Sequence, residues 1–257
     1  MDADACPAIR SVESVTYYFY MQELEMSVVK SDSVRSRIKF ALSSVCVVSC
    51  VLFTPVAPSV AKAADISLPN PQMEAGMSVM QALAKRQTSR SFSGEELTPS
   101  QLSHILWAAN GVNRPDSDGR TNPAALGVHS VEVYAVTAEG IFLYQPQTHT
   151  LQSIAEGDFR MTTTTGQPFV GEAPLNLVYV GNSAAWENAG RGPSGEKQVL
   201  FDSIAAGTMA QSVALVAAAE GIGTCVRASV DHAAFSEAAH LQDGQTILLA
   251  QTLGVLP

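Results

Sequence analysis

Residues 200–219 are the stretch that most constrains how this 257-residue chain can fold. They are rich in alanine and other apolar residues, contain no proline, and carry one charged side chain, Asp202. A helix that is apolar nearly all round has to be covered on most of its surface. The stretch therefore predicts one long, central, buried helix that ends at Gly221 and Gly223, with the other elements arranged around it.

Shorter patterned segments surround this helix along the chain. Apolar spacing predicts a helix near 79–84, and the start Thr98-Pro99-Ser100-Gln101 predicts a second helix that stops at Gly111. Apolar and alternating runs predict strands at 131–137, 141–144, 150–154, 175–180 and 246–253. Because strands and helices are partly segregated, the sequence predicts an α+β fold rather than a doubly wound parallel sheet.

Residues 1–63 have the pattern of a processing region. A basic stretch precedes an apolar run at 40–53, and Ala61-Lys62-Ala63 fits the small-residue rule for cleavage. The apolar run is too short for a stable membrane span, which needs about 20 apolar residues. We therefore expect a secretory signal peptide and an exported protein, periplasmic or secreted.

Two features of this region qualify that expectation. Met26 offers a natural start, which makes the residues before it a misassigned N-terminal extension. Cys50 lies in a loose lipoprotein-like sequence, so an acylated protein anchored at Cys50 is the less favoured alternative. Beyond the signal peptide, a proline-rich extended arm at 64–76 leads into a single domain at 77–257.

Charge limits the partners of that domain. Six of the 15 Lys and Arg residues and six of the 24 Asp and Glu residues lie in residues 1–63, so nine bases and eighteen acids remain, a net charge of −9. An acidic surface disfavours nucleic acid as a partner. The five histidines show no metal-ligand spacing, and no metal site is expected.

Three of the nine remaining bases, Lys85, Arg86 and Arg90, nevertheless fall within six residues. We call residues 85–92 the basic segment. Arginine offers a planar fork of donors that suits phosphate and carbonyl oxygens, and nearby hydroxyls can add further donors. A solvated basic turn is the alternative.

The basic segment resembles the opening signature of the nitroreductase superfamily, Arg-Arg-Ser-x-Arg-x-Phe. Here it reads Arg86-Gln87-Thr88-Ser89-Arg90-Ser91-Phe92. The resemblance implies an FMN cofactor bound by Arg86, Gln87, Thr88 and Arg90, with Arg86 and Thr88 towards its phosphate. It places Arg90 at the flavin pyrimidine, where a cation would stabilise the negative charge left by two-electron reduction.

A second stretch, from Pro123 to Tyr134, resembles the family's loop that lies against the flavin. It looks like Pro-Ser-Ala-Gly-Ala-x-His/Tyr-Pro-x-Glu-x-Tyr of the dehydrogenase branch and like Pro-Ser-Ser-x-Asn-x-Gln-Pro of the nitroreductases proper. The implied flavin contacts are the small residues Pro123, Ala124, Ala125 and Gly127, which would let the backbone approach the ring closely. We call residues 123–127 the small-residue loop. The stretch places the chain nearest to the dehydrogenase branch, which includes the azoline dehydrogenases of peptide maturation.

A third stretch, from Glu220 to Asp231, is similar to the Gly-Leu-Gly-Thr/Ser-Cys that follows the family's central helix. The resemblance implies that the backbone amides of Ala228 and Ser229 face flavin O4 and N5. The order and spacing of the three stretches cover residues 77–257. They imply the family's fold, an intertwined homodimer in which helices flank a mostly antiparallel central sheet.

Together these resemblances imply an FMN-dependent oxidoreductase that works by alternating half-reactions. A small-molecule donor would pass a hydride to flavin N5 and leave, and a small-molecule acceptor would then take the electrons, with no essential acid or base from the protein. Two alternatives stay open. One is a flavin-dependent dehydrogenase of azoline type, and the other is a non-enzymatic, degenerate dimer, which the departures at Ala124 and Gly127 would suit.

Overall fold

The computed structural model describes residues 64–74 and 76–257. The predicted signal peptide, the start at Met26 and the lipidation alternative at Cys50 lie outside these residues.

Strands and helices alternate in blocks along the described chain. The strands are β1 (Ile66–Ser67), β2 (Val112–Arg114), β3 (Gly119–Arg120), β4 (Val131–Val136), β5 (Gly140–Gln145), β6 (Thr150–Glu156), β7 (Leu175–Asn182), β8 (Ile222–Arg227) and β9 (Gln245–Val255). The α-helices are α1 (Val79–Lys85), α2 (Pro99–Asn110), α3 (Phe169–Glu172), α4 (Ser183–Ala189), α5 (Glu196–Ala219) and α6 (His232–Ala238). Seven strands form one sheet in the order β1-β6-β5-β4-β7-β9-β8, while β2 and β3 pair separately. All strand pairs in the sheet are antiparallel, which confirms the α+β prediction.

Local signals in the sequence explain where most elements begin. Both α1 and α2 start with a capping box, and in α2 the Gln101 N–H donates to Thr98 Oγ1 at 3.2 Å. The five predicted strands correspond to β4, β5, β6, β7 and β9. The sequence did not predict β8, which contains the second of the two helix-stop glycines, or α4. It also missed the short elements β1, β2, β3 and α3.

Helix α5 covers one face of the sheet together with α2. Its Ala206, Val213 and Ala217 are fully buried in the main hydrophobic core. Nearer its start, Val199, Leu200 and Ile204 are 40%, 55% and 58% exposed. The prediction that this helix is buried nearly all round is therefore wrong for the single chain, because other elements cover only part of its surface.

By length and composition α5 is also the one helix in the described part of the chain that could cross a membrane, a test that core helices pass as well. Here it packs against α1, α2 and strands β7 to β9. The opposite face of the sheet is covered by α6 and by the chain between β6 and α3, around a second core that contains Val178 and Phe235.

The arm runs along the far edge of this architecture. Strand β1 adds to the edge of the sheet by pairing with β6. The Ser103 hydroxyl then donates to the Pro69 carbonyl at 2.6 Å, and the Gln72 N–H donates to His104 Nε2 at 2.9 Å. The arm is thus tied to the sheet and to α2.

Candidate functional site

The basic segment lies against the opposite edge of the sheet, along β8. Arg86 caps the end of α1 by donating its N–H to the Ala82 carbonyl at 2.8 Å. The Ser89 N–H then donates to the Thr224 carbonyl at 2.9 Å. Gly223 permits this approach, since an added Cβ would lie 3.0 Å from Ser89 Cβ. The second predicted helix-stop glycine is therefore a strand residue that admits the basic segment.

The two arginines of the basic segment keep their side-chain donors open. Arg86 is half-buried and Arg90 is exposed. Neither guanidinium has a hydrogen-bond or ion-pair partner among residues 64–74 and 76–257. A cavity of about 270 Å³ is lined by Lys85, Gln87 and Ser89, which alternate with these arginines along the segment, but not by Arg86 or Arg90. Open guanidiniums in so acidic a chain suit an anionic ligand.

The end of β8 offers a second set of open donors. Ala228 is exposed and Ser229 is half-buried. Their two backbone N–H groups donate to no acceptor within the described residues. The Ser229 hydroxyl is hydrogen-bonded to the Thr165 hydroxyl at 2.5 Å, so the chain before α3 lies next to this end of the strand. Two consecutive free amides at a strand end can bind carbonyl or ring-nitrogen acceptors.

Arg227, which the sequence analysis did not single out, lies directly before these amides. It is 6% exposed, on the sheet face opposite α5. Its guanidinium donates to Thr252 Oγ1 at 2.8 Å, the Thr163 carbonyl at 2.7 Å, the Ser229 carbonyl at 3.2 Å and Asn176 Oδ1 at 3.3 Å. Burial lowers the pKa of Arg227 to about 10, which leaves it protonated at neutral pH. A lone arginine in an otherwise apolar strand was the signal available in the sequence.

The small-residue loop lies elsewhere on the chain. Asn122, just before it, donates to the Ala108 carbonyl at 2.6 Å and accepts from the Ser212 hydroxyl at 2.5 Å, which fixes it to α2 and to the middle of α5. Leu126 and Gly127 adopt left-handed conformations, with φ of 54° and 69°. Across the described residues, no hydrogen bond joins this loop to the basic segment or to Ala228 and Ser229.

Within one chain, β8 therefore brings together the basic segment and the stretch from Glu220 to Asp231. The stretch that begins at Pro123 is instead held against α2 and α5. Arg86, Gln87, Thr88 and Arg90 lie along the start of β8, whereas Ala228 and Ser229 follow its end. Pro123, Ala124, Ala125 and Gly127 present a largely exposed loop. The assignment of all these residues to a flavin site stays a prediction.

Comparison with known proteins identifies the family. The model of the Nitroreductase family matches residues 83–255. A nitroreductase-like protein of Methanocaldococcus jannaschii (MJ1384) is 31% identical over 152 residues, which are 55% of this chain and 74% of that protein.

Two solved structures share the fold, and one of them is also similar in sequence. A nitroreductase-like protein from Ralstonia eutropha JMP134 superposes with a TM-score of 0.70 at 35% identity, over 75% of this chain and 90% of that chain. A Desulfovibrio desulfuricans relative in complex with FMN has a TM-score of 0.50 at 18% identity, over 70% and 87% of the two chains, and shows the shared fold. The seven-stranded antiparallel sheet with its flanking helices is thus a nitroreductase-like fold, and the chain belongs to the nitroreductase family.

Proposed function

We propose that this protein is an exported, FMN-dependent oxidoreductase of nitroreductase type that acts as a homodimer. The observation that carries the proposal is the set of open donors along β8. Within residues 64–74 and 76–257, two guanidiniums at its start and two backbone amides at its end have no partner. Membership of the family supports a flavin oxidoreductase in general.

The residues along β8 fit FMN in their chemistry. Arg86 and Thr88 would hold the phosphate, to which a guanidinium donates charge-assisted hydrogen bonds. Arg90 would lie at the pyrimidine, and the amides of Ala228 and Ser229 would donate to O4 and N5. When bound, FMN supplies two-electron transfer at N5, so that a small-molecule donor and acceptor use one site in turn.

The exposed apolar surface of the chain supports a dimer. Val79, Met80 and Leu83 of α1 are exposed, as are Leu200 and Ile204 of α5. Large apolar side chains grouped on two helices commonly mark a protein interface. A second copy packed there would cover α5 and bring its small-residue loop to the flavin that β8 of the first copy holds. The partner would then supply the third stretch that one chain leaves apart.

Purification of the full chain after expression in an exporting bacterial host tests cofactor and assembly together. We expect a yellow protein that a reductant bleaches, with the mass of a dimer by light scattering. A monomer with FMN bound would contradict the dimer. A colourless dimer that ignores added FMN would contradict FMN binding and establish the degenerate alternative.

The same preparation tests export and activity. N-terminal sequencing should begin near Ala64 or Asp65, while an acylated N-terminus at Cys50 would establish the lipoprotein. Bleaching by NADH or NADPH, followed by reoxidation with a nitroaromatic or quinone, would support reductase chemistry. Bleaching by an azoline-containing peptide would instead place the protein in the dehydrogenase branch, which stays a prediction.

A further inference from the structure

Arg227 is a buried cation with no anionic partner in the part of the chain that the structure describes. Its four acceptor residues contribute two carbonyls, hydroxyl groups and an amide oxygen, all of them neutral. Among the described residues, no carboxylate forms an ion pair with it, whereas Arg160 nearby is paired with Asp158 at 2.7 Å. Cys225, which shares its face of β8, is a buried thiol.

Such an arrangement is costly for stability alone. Moving an ion out of water is unfavourable, and neutral acceptors recover only part of the lost solvation. An apolar side chain of similar volume would often serve the packing as well or better. A buried, uncompensated charge beside two open backbone amides is therefore a candidate for a role in the site.

The position of Arg227 indicates which part of the site it acts on. It directly precedes Ala228, and its guanidinium donates to the Ser229 carbonyl at 3.2 Å. It also binds the Thr163 carbonyl at 2.7 Å, which fixes the segment whose Thr165 contacts the Ser229 hydroxyl. The Arg227 guanidinium thus binds both the end of β8, which carries the two free amides, and the neighbouring chain at Thr163. It places a positive charge next to these amides.

We propose that Arg227 is a positioning residue that makes the site prefer an electron-rich ligand at the amides of Ala228 and Ser229. On the proposed function, on which this inference rests, that ligand is reduced flavin, which carries more negative charge than oxidised flavin. The fixed charge of Arg227 then favours the reduced form, and its hydrogen bond to Ser229 keeps the amides aimed at the ligand. This cation is distinct from Arg90, which is exposed on the basic segment.

The test replaces Arg227 in the FMN-loaded, full-length protein. Arg227→Met removes the charge at similar volume, Arg227→Gln removes it but keeps a donor, and Arg227→Lys keeps it. Arg160→Met is the matched control, because it removes an equal charge from a paired arginine near the same segment. The measurements are the midpoint potential of the bound flavin, the dissociation constant for sulfite, which adds at N5 and leaves an anionic flavin, and the melting temperature.

We expect Arg227→Met and Arg227→Gln to lower the affinity for reduced relative to oxidised flavin about tenfold. That is a potential about 30 mV more negative for a two-electron couple. Sulfite should bind about tenfold more weakly. Arg227→Lys should stay close to the parent, and Arg160→Met should change neither quantity.

Other results overturn the inference in distinguishable ways. If the neutral variants bind FMN with the potential and sulfite affinity of the parent, Arg227 only holds the fold. The same conclusion follows if the Lys and Gln variants lose equal thermal stability while their potentials are unchanged, even where Arg227→Met does not fold. A parent protein that binds no FMN overturns the proposed function itself, and with it the role given to Arg227.

Discussion

The arm and the basic segment are two irregular segments that treat their polar groups in opposite ways. In the arm, polar groups are paired within the chain: Asp65 accepts from the Ser153 N–H at 2.9 Å, and Ser103 donates to Pro69. In the basic segment, Arg86 and Arg90 have no side-chain partner within the described part of the chain. Of the two segments, the basic segment alone carries cationic side chains that can bind an anionic ligand, since residues 64–76 contain no lysine or arginine.

A histidine completes the pairing around the arm. Tyr144 Oη lies 2.8 Å from His149 Nδ1, and His149 Nε2 lies 2.8 Å from Ser103 Oγ and 3.1 Å from the Pro69 carbonyl. Each polar group of this network has a hydrogen-bond partner when Tyr144 donates to His149 Nδ1 and the proton on Nε2 points to Ser103 and Pro69. Internally satisfied networks stabilise a fold, whereas open donors remain available for binding. Substitutions in the arm should therefore change stability, and substitutions in the basic segment should change cofactor binding.

Arg86→Ala should show the largest difference between the two segments, because it should weaken FMN binding without lowering stability. It removes a charge-assisted hydrogen bond to the phosphate side, so FMN affinity should fall about 10- to 150-fold. The melting temperature of the FMN-free protein should change little, because the Arg86 side chain makes no hydrogen bond or ion pair within the described residues. Flavin titration and calorimetry measure the two effects. Unchanged affinity would show that the basic segment is a solvated turn, and partial recovery in Arg86→Lys would support a charged contact.

Ser103→Ala should give the converse result. The change removes a fully buried hydroxyl that binds Pro69 and His149, at a cost of about 1–3 kcal/mol in the free energy of unfolding. FMN affinity should match the parent. Ser100→Ala, on the same helix and outside this network, is the control for urea unfolding. A variant as stable as the parent would mean that the arm contributes little to stability.

Arg90→Ala should affect the redox potential more than the binding. Without a cation at the pyrimidine, reduced flavin loses stabilisation, and the potential should become about 30 mV more negative, which is a tenfold change in relative affinity. Potentiometry on the bound flavin measures the shift, with the Ser103→Ala protein as the comparison. A potential equal to that of the parent would remove Arg90 from the site.

The smallest effect is a pH dependence that originates in His149, which binds the arm at the Pro69 carbonyl. Burial lowers the pKa of His149 from its ordinary 6.5, so the folded state favours the neutral ring. The unfolded chain takes up the proton first, and stability should decline as the pH falls below 6.5 towards the folded value. Burial and the Arg120 charge lower the pKa of His129 as well, which contributes in the same direction.

His149→Asn isolates the part due to His149, since asparagine tolerates the left-handed backbone at this position, where φ is 51°. Its unfolding free energy, measured between pH 8 and pH 5, should decline less than that of the parent. If the unfolding free energies of the variant and the parent decline equally with pH, the pH dependence of stability comes from other groups, His129 among them.

Much of the fold and part of the site could be predicted from short patterns. The capping box at Thr98, the apolar stripe of α2 and the long run of α5 each specify a helix within a few residues. Strand β8 could not be predicted in the same way, because glycines at 221 and 223 look like a helix stop. At Gly223 the deciding factor is the approach of the basic segment, which is distant in sequence.

The sequence by itself determined the class of the fold, the position of its central helix and the concentration of charge in the basic segment. Those features depend on periodicity, caps and composition, which act over a turn or a strand. Within the described residues, only the tertiary structure decided that Arg86 and Arg90 have no side-chain partner, that Arg227 is buried without an anion, and that one side of α5 is exposed. The physical reason is that pairing, desolvation and exposure depend on which distant segments meet, and no local pattern records that.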